Sequence, residues 1–154
     1  MPTYQAGPVD AQIHNFLNVF RNNAFAGFAT PYIGFLATGP VTSDGAGAVE
    51  IAANADYVRK PLTSTILTAP AARAMNNNAD ILFIASTTVA WNGGSPIAIF
   101  GIWSQLTPVG PGPTNLLWAD EIIPPFVVGS TPGSTVTIKT PNLILRSNPR
   151  PVTY

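Results

Sequence analysis

PIAIFGIWSQLTPVGPGPTNLLWADE, residues 96–121, reads as two antiparallel strands joined by a loop rich in proline and glycine. Ile97, Ile99, Gly101 and Trp103 alternate with Ala98, Phe100 and Ile102, so both faces of the first strand are apolar, as in a strand near the middle of a packed structure. Its partner is residues 115–121. Between them, Pro108, Gly110, Pro111, Gly112 and Pro113 exclude regular pairing and mark residues 107–114 as a projecting loop. A buried hairpin with a decorated tip is a scaffold with a point of contact.

The 154 residues suit one domain with a substantial core. There is no cysteine, which excludes disulfides, thiolate metal sites and cysteine nucleophiles. Charged residues make up 9% of the chain, hydrophobic residues 46%, and the formal net charge is zero. Such a surface gives little colloidal repulsion, which points to coverage by copies of the chain or by another protein. The alternative is a monomer solvated by Asn, Thr and Ser. Seven basic and seven acidic residues, scattered, give no basic patch for nucleic acid. No apolar run approaches the ~20 residues that span a bilayer, and the first residues lack the pattern of a signal peptide. No nucleic-acid and no membrane partner is expected.

Outward from the hairpin, residues 1–8 are expected as an extended N-terminal arm. Val9, Ile13, Phe16, Leu17 and Phe20 fall on one stripe of a helix over 9–22, with Asp10 near its start and Arg21 near its end. A strand is expected over 32–37, then turn chemistry through 38–47. Residues 57–65 read as an edge or bulged strand because of Pro61, and 69–75 as a helical turn stopped by Asn76, Asn77 and Asn78. A buried strand over 80–86 leads to the turn at 92–96. After the hairpin, Pro124 and Pro125 are expected to break the sheet. Residues 126–128 pair briefly, 129–134 turn, and strands follow over 135–139 and 142–146, before a C-terminal arm over 147–154. The fold class is therefore mainly β, an antiparallel β-sandwich or barrel-like sandwich of seven or eight short strands with one N-terminal helix. Residues 9–146 form its single domain.

Catalytic sets are absent from this reading. The only histidine, His14, lies four residues from Asp10, too few ligands for a metal site. Adjacent carboxylates at Asp120 and Glu121 point to opposite faces of a strand and do not make an acid/base pair. Gly93-Gly94-Ser95 lacks the spacing of a phosphate loop. Trp91, Trp103 and Trp118 read as packing anchors. No enzyme activity, cofactor or metal is expected.

The order of segments carries a resemblance. N-F-L-N-V-F-R-N-N-A-F (15–25), A-T-P-Y-I-G-F-L-A-T-G-P (29–40), Tyr57-Val58-Arg59-Lys60, N-N-A-D-I-L-F (77–83), Trp91, I-F-G-I-W (99–103) and N-L-L-W-A (115–119) together resemble a family of small tailed-phage proteins commonly labelled tail fibre protein. Departures are Ile99-Phe100 where His-Phe is common, Gln105 near the usual Asp-Ala, and a loop richer in proline. Small proteins of this type are also similar to capsid decoration, or cement, proteins. The resemblance implies a structural virion protein assembled in the bacterial host cytoplasm. Its first form is a homotrimeric cement protein on the outer surface of the capsid, clamping and stabilising the major capsid protein lattice. The alternative is a tail fibre, tail or neck component with receptor or glycan contact through the tryptophans; a lysis or tail enzyme is the remaining rival. The residues expected to reach partners are Pro2, Thr3 and Tyr4 in the N-terminal arm, Pro108, Pro111 and Pro113 in the loop, and Arg146, Arg150 and Tyr154 at the C-terminal end.

Overall fold

The computed structural model describes residues 7–8, 30–39, 46–51, 57–69, 74–85, 88–106 and 115–146. Among them the strands are β1 (Gly7–Pro8), β2 (Tyr32–Thr38), β3 (Val49–Glu50), β4 (Lys60–Pro61), β5 (Ala74–Asn76), β6 (Ile81–Ala85), β7 (Ile97–Trp103), β8 (Leu116–Phe126), β9 (Ser134–Ile138) and β10 (Ile144–Arg146). The expected helix over 9–22, the loop over 107–114, the arm residues 1–6 and the C-terminal arm over 147–154 lie outside the described residues.

The hairpin of residues 96–121 is present and central. β7 pairs with β8, with Gly101 opposite Ala119, and with β2, with Phe100 opposite Phe35. Every β7 residue but Ala98 is buried, as its two apolar faces require. The large sheet runs β1-β8-β7-β2, and the far edge of β2 is shared by β3 at one end and β4 at the other. Pro61 sits at that edge, where a missing N–H leaves no ladder bond unmade.

A second layer is an interrupted antiparallel ribbon. β6 pairs with β9 (Phe83 opposite Val136), and β5 pairs with β10 (Met75 opposite Leu145). Ile81, Phe83 and Ala85 of β6 face inward against Ile33 and Phe35 of β2 and Phe100 and Ile102 of β7, with Trp91, Ile97 and Leu143 completing the main core. Phe35 is its aromatic hub: Phe83 lies 4.6 Å and Phe126 5.1 Å away, centroid to centroid. A smaller apolar cluster, Leu36, Ile99, Trp103, Leu116 and Ala119, occupies the opposite face of the large sheet. Ile97 belongs to the main core and Ile99 to the smaller cluster, on either side of the register shift that lies between them. The protein is thus mainly β with antiparallel pairing, and its sheets do not close into a barrel.

Three expectations change. Ala74–Asn76 is a strand, not a helical turn, and Asn77 continues as a bridge to Leu67 instead of stopping an element. Pro124 and Pro125 do not end the sheet: β8 continues to Phe126 through a bulge in which residues 122–125 lie opposite Ala98 alone, with cis bonds at Ile123-Pro124 and Thr140-Pro141 elsewhere in the described chain. A bulge is where a strand tolerates residues that donate no ladder bond. The turn after Trp91 has its expected chemistry, with Asn92, Gly93 and Gly94 at φ of 51°, 60° and 79°.

Candidate functional site

Between β3 and β4 the edge of β2 has no paired strand at Gly34 and Phe35; the Phe35 carbonyl accepts from the Ile51 N–H at 3.2 Å, and side chains fill the rest. The Phe35 N–H donates to the Tyr57 hydroxyl at 2.7 Å, and that hydroxyl donates to Glu50 Oε1 at 3.0 Å. Arg59 grips the same carboxylate with two bonds, Nε to Oε1 at 2.8 Å and Nη2 to Oε2 at 2.6 Å, and donates from Nη1 to the Gln105 carbonyl at 2.7 Å. Its guanidinium stacks 4.2 Å from the centroid of the Trp103 ring. Burial pushes the Tyr57 hydroxyl far above the usual tyrosine range, and the negative Glu50 beside it adds to the rise.

Glycines make room for this cluster. A Cβ on Gly34 would collide with the Tyr57 hydroxyl, and one on Gly101 would sit 2.5 to 2.9 Å from three atoms of the Trp103 ring. Internally hydrogen-bonded and nearly closed to solvent, the cluster is a clamp that ties β3, β4 and the end of β7 to β2. Proton transfer to a substrate is not what this geometry offers.

Asn77 is the second buried polar node, fully enclosed. Its Nδ2 donates to the carbonyls of Ala79 (2.9 Å) and Ile138 (3.3 Å), and its Oδ1 accepts from the Leu143 N–H (2.9 Å). It bridges the interruption between the two halves of the ribbon.

One open feature among the described residues is a groove with a volume of about 420 Å³, lined by residues 121–124, Phe126 and Val127, by 135–139, and by Phe35, Phe100, Asn142 and Leu143. Its walls are mainly apolar; Glu121 and Lys139 stand at them. Lys139 pairs with Asp80 at 2.6 Å, a partner 59 positions away that no inspection of neighbouring sequence finds. That ammonium and the Thr140 N–H hold the Asp80 carboxyl below its ordinary value.

Of the residues expected to reach partners, Pro2, Thr3, Tyr4, Pro108, Pro111, Pro113, Arg150 and Tyr154 lie outside the described residues. Arg146 is in β10, its backbone opposite Ala74. The feet of the 107–114 loop are pinned, with the Ser104 N–H donating to the Asn115 carbonyl at 2.9 Å. Asp120 and Glu121 fall within β8, not at its end, and Asp120 Oδ1 accepts from the Glu121 N–H at 2.8 Å. Trp91 and Trp103 are buried and Trp118 is half-buried against the core; the indole N–H groups of Trp91 and Trp118 are enclosed without an acceptor. Among the described residues no three His, Asp or Glu side chains gather at a metal-binding distance.

No curated protein matches the chain. The profile of the family described as podophage GP4 fiber I protein gp80 matches residues 10–146, which takes in the hairpin, the Tyr57-Arg59 clamp and both halves of the ribbon. The chain therefore belongs to the podophage GP4 fiber I protein gp80 family, a family of phage fibre-type structural proteins.

Proposed function

We propose that this chain is a non-catalytic structural component of the phage tail, built into or against a fibre, and that it works by packing against copies of itself and neighbouring virion proteins. The observation that carries this reading is the family match over residues 10–146. Two features support it. The strong polar constellations of the described residues, around Tyr57 and Asn77, are internally satisfied and spend their hydrogen bonds on holding strands together. The surface is poor in charge, and Leu82 and Ile84 of β6 and Ile144 of β10 stand exposed on the outward side of the ribbon, a composition suited to contact with protein.

The capsid-cement reading requires copies of the chain bound to the major capsid protein, a partner for which the fibre-type family gives no support. Glycan contact through tryptophan fits poorly with the buried Trp91 and Trp103. Nanogold labelling of a tagged copy on purified virions tests the proposal. Gold confined to the tail and its fibres is the expected result; gold distributed over the head shell would replace this reading with the cement role.

A further inference from the structure

β6 is an edge strand without the usual protections of an edge. Among the described residues it pairs with β9 alone. Edges are ordinarily kept from joining other chains by a charge, a proline or a bulge. Ile81-Leu82-Phe83-Ile84-Ala85 has no charge and no proline, and its register with β9 runs unbroken from Ile81 to Ala85.

Its outward side chains are large and apolar. Ile81, Phe83 and Ala85 are buried, which leaves Leu82 and Ile84 outward at 45% and 48% exposure. Leu82 lies opposite Thr137 of β9 and Ile84 opposite Thr135, and directly opposed residues share a face of the sheet. The outward face of this ribbon is therefore threonine along β9 and aliphatic along β6, with the aliphatic row next to the edge at which a further strand would continue the sheet.

We propose that β6 pairs edge to edge with β6 of a second copy, antiparallel about a two-fold axis at Phe83, so that two ribbons join into one four-stranded sheet, β9-β6-β6-β9. Such a contact is self-complementary, as a two-fold interface must be. Leu82 of each copy comes opposite Ile84 of the other, and Ile81 opposite Ala85. Across the four strands the outward face then reads Thr137, Leu82, Ile84, Thr135, with the aliphatic pair covered at the centre. Charge selects the direction. Asp80 immediately precedes β6; antiparallel pairing sets the two copies' Asp80 at opposite ends of the seam, about 20 Å apart, whereas parallel pairing in register would set like charges side by side. The seam gives a place to the packing between copies proposed above and rests on that reading. Five residues a side span about 17 Å, short of the area of a stable dimer, so the seam fills where copies are held close, as neighbours in an assembled fibre, and is sparse in dilute solution.

The absence of cysteine makes a cross-linking test clean. Full-length chains carrying Leu82→Cys and Ile84→Cys, both at exposed positions, are mixed in equal amounts and oxidised, with Val49→Cys, exposed on β3, as the control. The disulfide between positions 82 and 84 of different chains is expected at least tenfold above the 82–82 and 84–84 disulfides and above the control. An excess of either like pair would mean another register or direction, and yields equal to the control would mean random collision; both overturn the proposal. Sedimentation equilibrium at millimolar concentration supplies a second reading. The natural chain is expected to dimerise and Ile84→Lys to do so at least tenfold more weakly, since a lysine blunts an edge without touching the core; a monomeric natural chain, or a variant that dimerises equally well, would count against the seam. Both measurements use purified chain and do not depend on its place in the virion. Gold on the head with the 82–84 disulfide formed would remove the fibre reading and leave the seam, whereas gold on the tail without that disulfide would remove the seam alone.

Discussion

Tyr57 occupies a place on the edge of β2 away from β7 that neither β3 nor β4 pairs, and its hydroxyl does the work of a ladder carbonyl for the Phe35 N–H. Tyr57→Phe keeps the ring against Phe35 and Trp91 but orphans that buried N–H, so unfolding in urea is expected to show a loss of about 1–3 kcal/mol. The pH dependence has a defined sign. Because the folded-state pKa lies above the unfolded value of about 10, the contribution of Tyr57 to stability is intact below pH 10 and declines as pH rises beyond it. Denaturation midpoints measured from pH 8 to 11 should therefore fall more steeply for the natural chain than for Tyr57→Phe. Glu50→Leu strands Arg59 in a nearly closed site and is expected to cost about 3–5 kcal/mol, read from the same urea curves. None of this was legible beforehand: Tyr57 and Arg59 stand in a stretch that reads as an edge strand, Glu50 falls between that stretch and the turn at 38–47 with no element expected there, and the place they fill exists only once β3 and β4 take opposite ends of β2.

At the scale of elements, periodicity and turn chemistry located what depends on a single segment. β2, β6, β7 and β9 lie within a few residues of the expected strands because alternation and flanking Gly, Pro and Asn suffice to define them, whereas β8 begins as expected and runs on past its expected end at Glu121 to Phe126. β1, β3 and β5 escaped because two or three residues carry no period, and pairing with a distant neighbour alone makes them strands. Asn76 and Asn77 misled for a related reason. Asparagine ordinarily stops an element, but here Asn77 keeps one local bond, to the Ala79 carbonyl, and makes two across the ribbon, to the Ile138 carbonyl and from the Leu143 N–H. Asn77→Ala should leave several of those groups unpaired and destabilise by on the order of 3 kcal/mol, with hydrogen exchange quickening first in β5 and β10. Full retention of stability in that variant would mean that the node does not hold the ribbon. Gly101→Ala presses a methyl against the Trp103 ring and is expected to cost about 1–3 kcal/mol, visible as a shift of the thermal midpoint and of Trp fluorescence.

For the whole molecule, composition was informative about class and silent about address. For a chain with 9% charged residues and zero net charge, the association with copies proposed above rests on apolar and hydrogen-bonded contacts and should change little between 0.05 and 0.5 M salt in sedimentation velocity runs. A strong loss of association at high salt would show that charge pairs hold it. The residues singled out for contact were chosen for their places in extended arms and a projecting loop, and such a place does not name a partner. The groove between β8 and β9 was beyond the sequence because its two walls belong to different layers. The proposed place on the tail implies few copies, whereas a cement protein tiles a shell, and counting copies tests that difference most directly. Quantitative mass spectrometry of purified virions, with this chain measured against the major head protein, is expected to give a ratio of a few per cent or less; a ratio near unity, or a simple fraction of it, would contradict the fibre reading and put the protein on the capsid lattice.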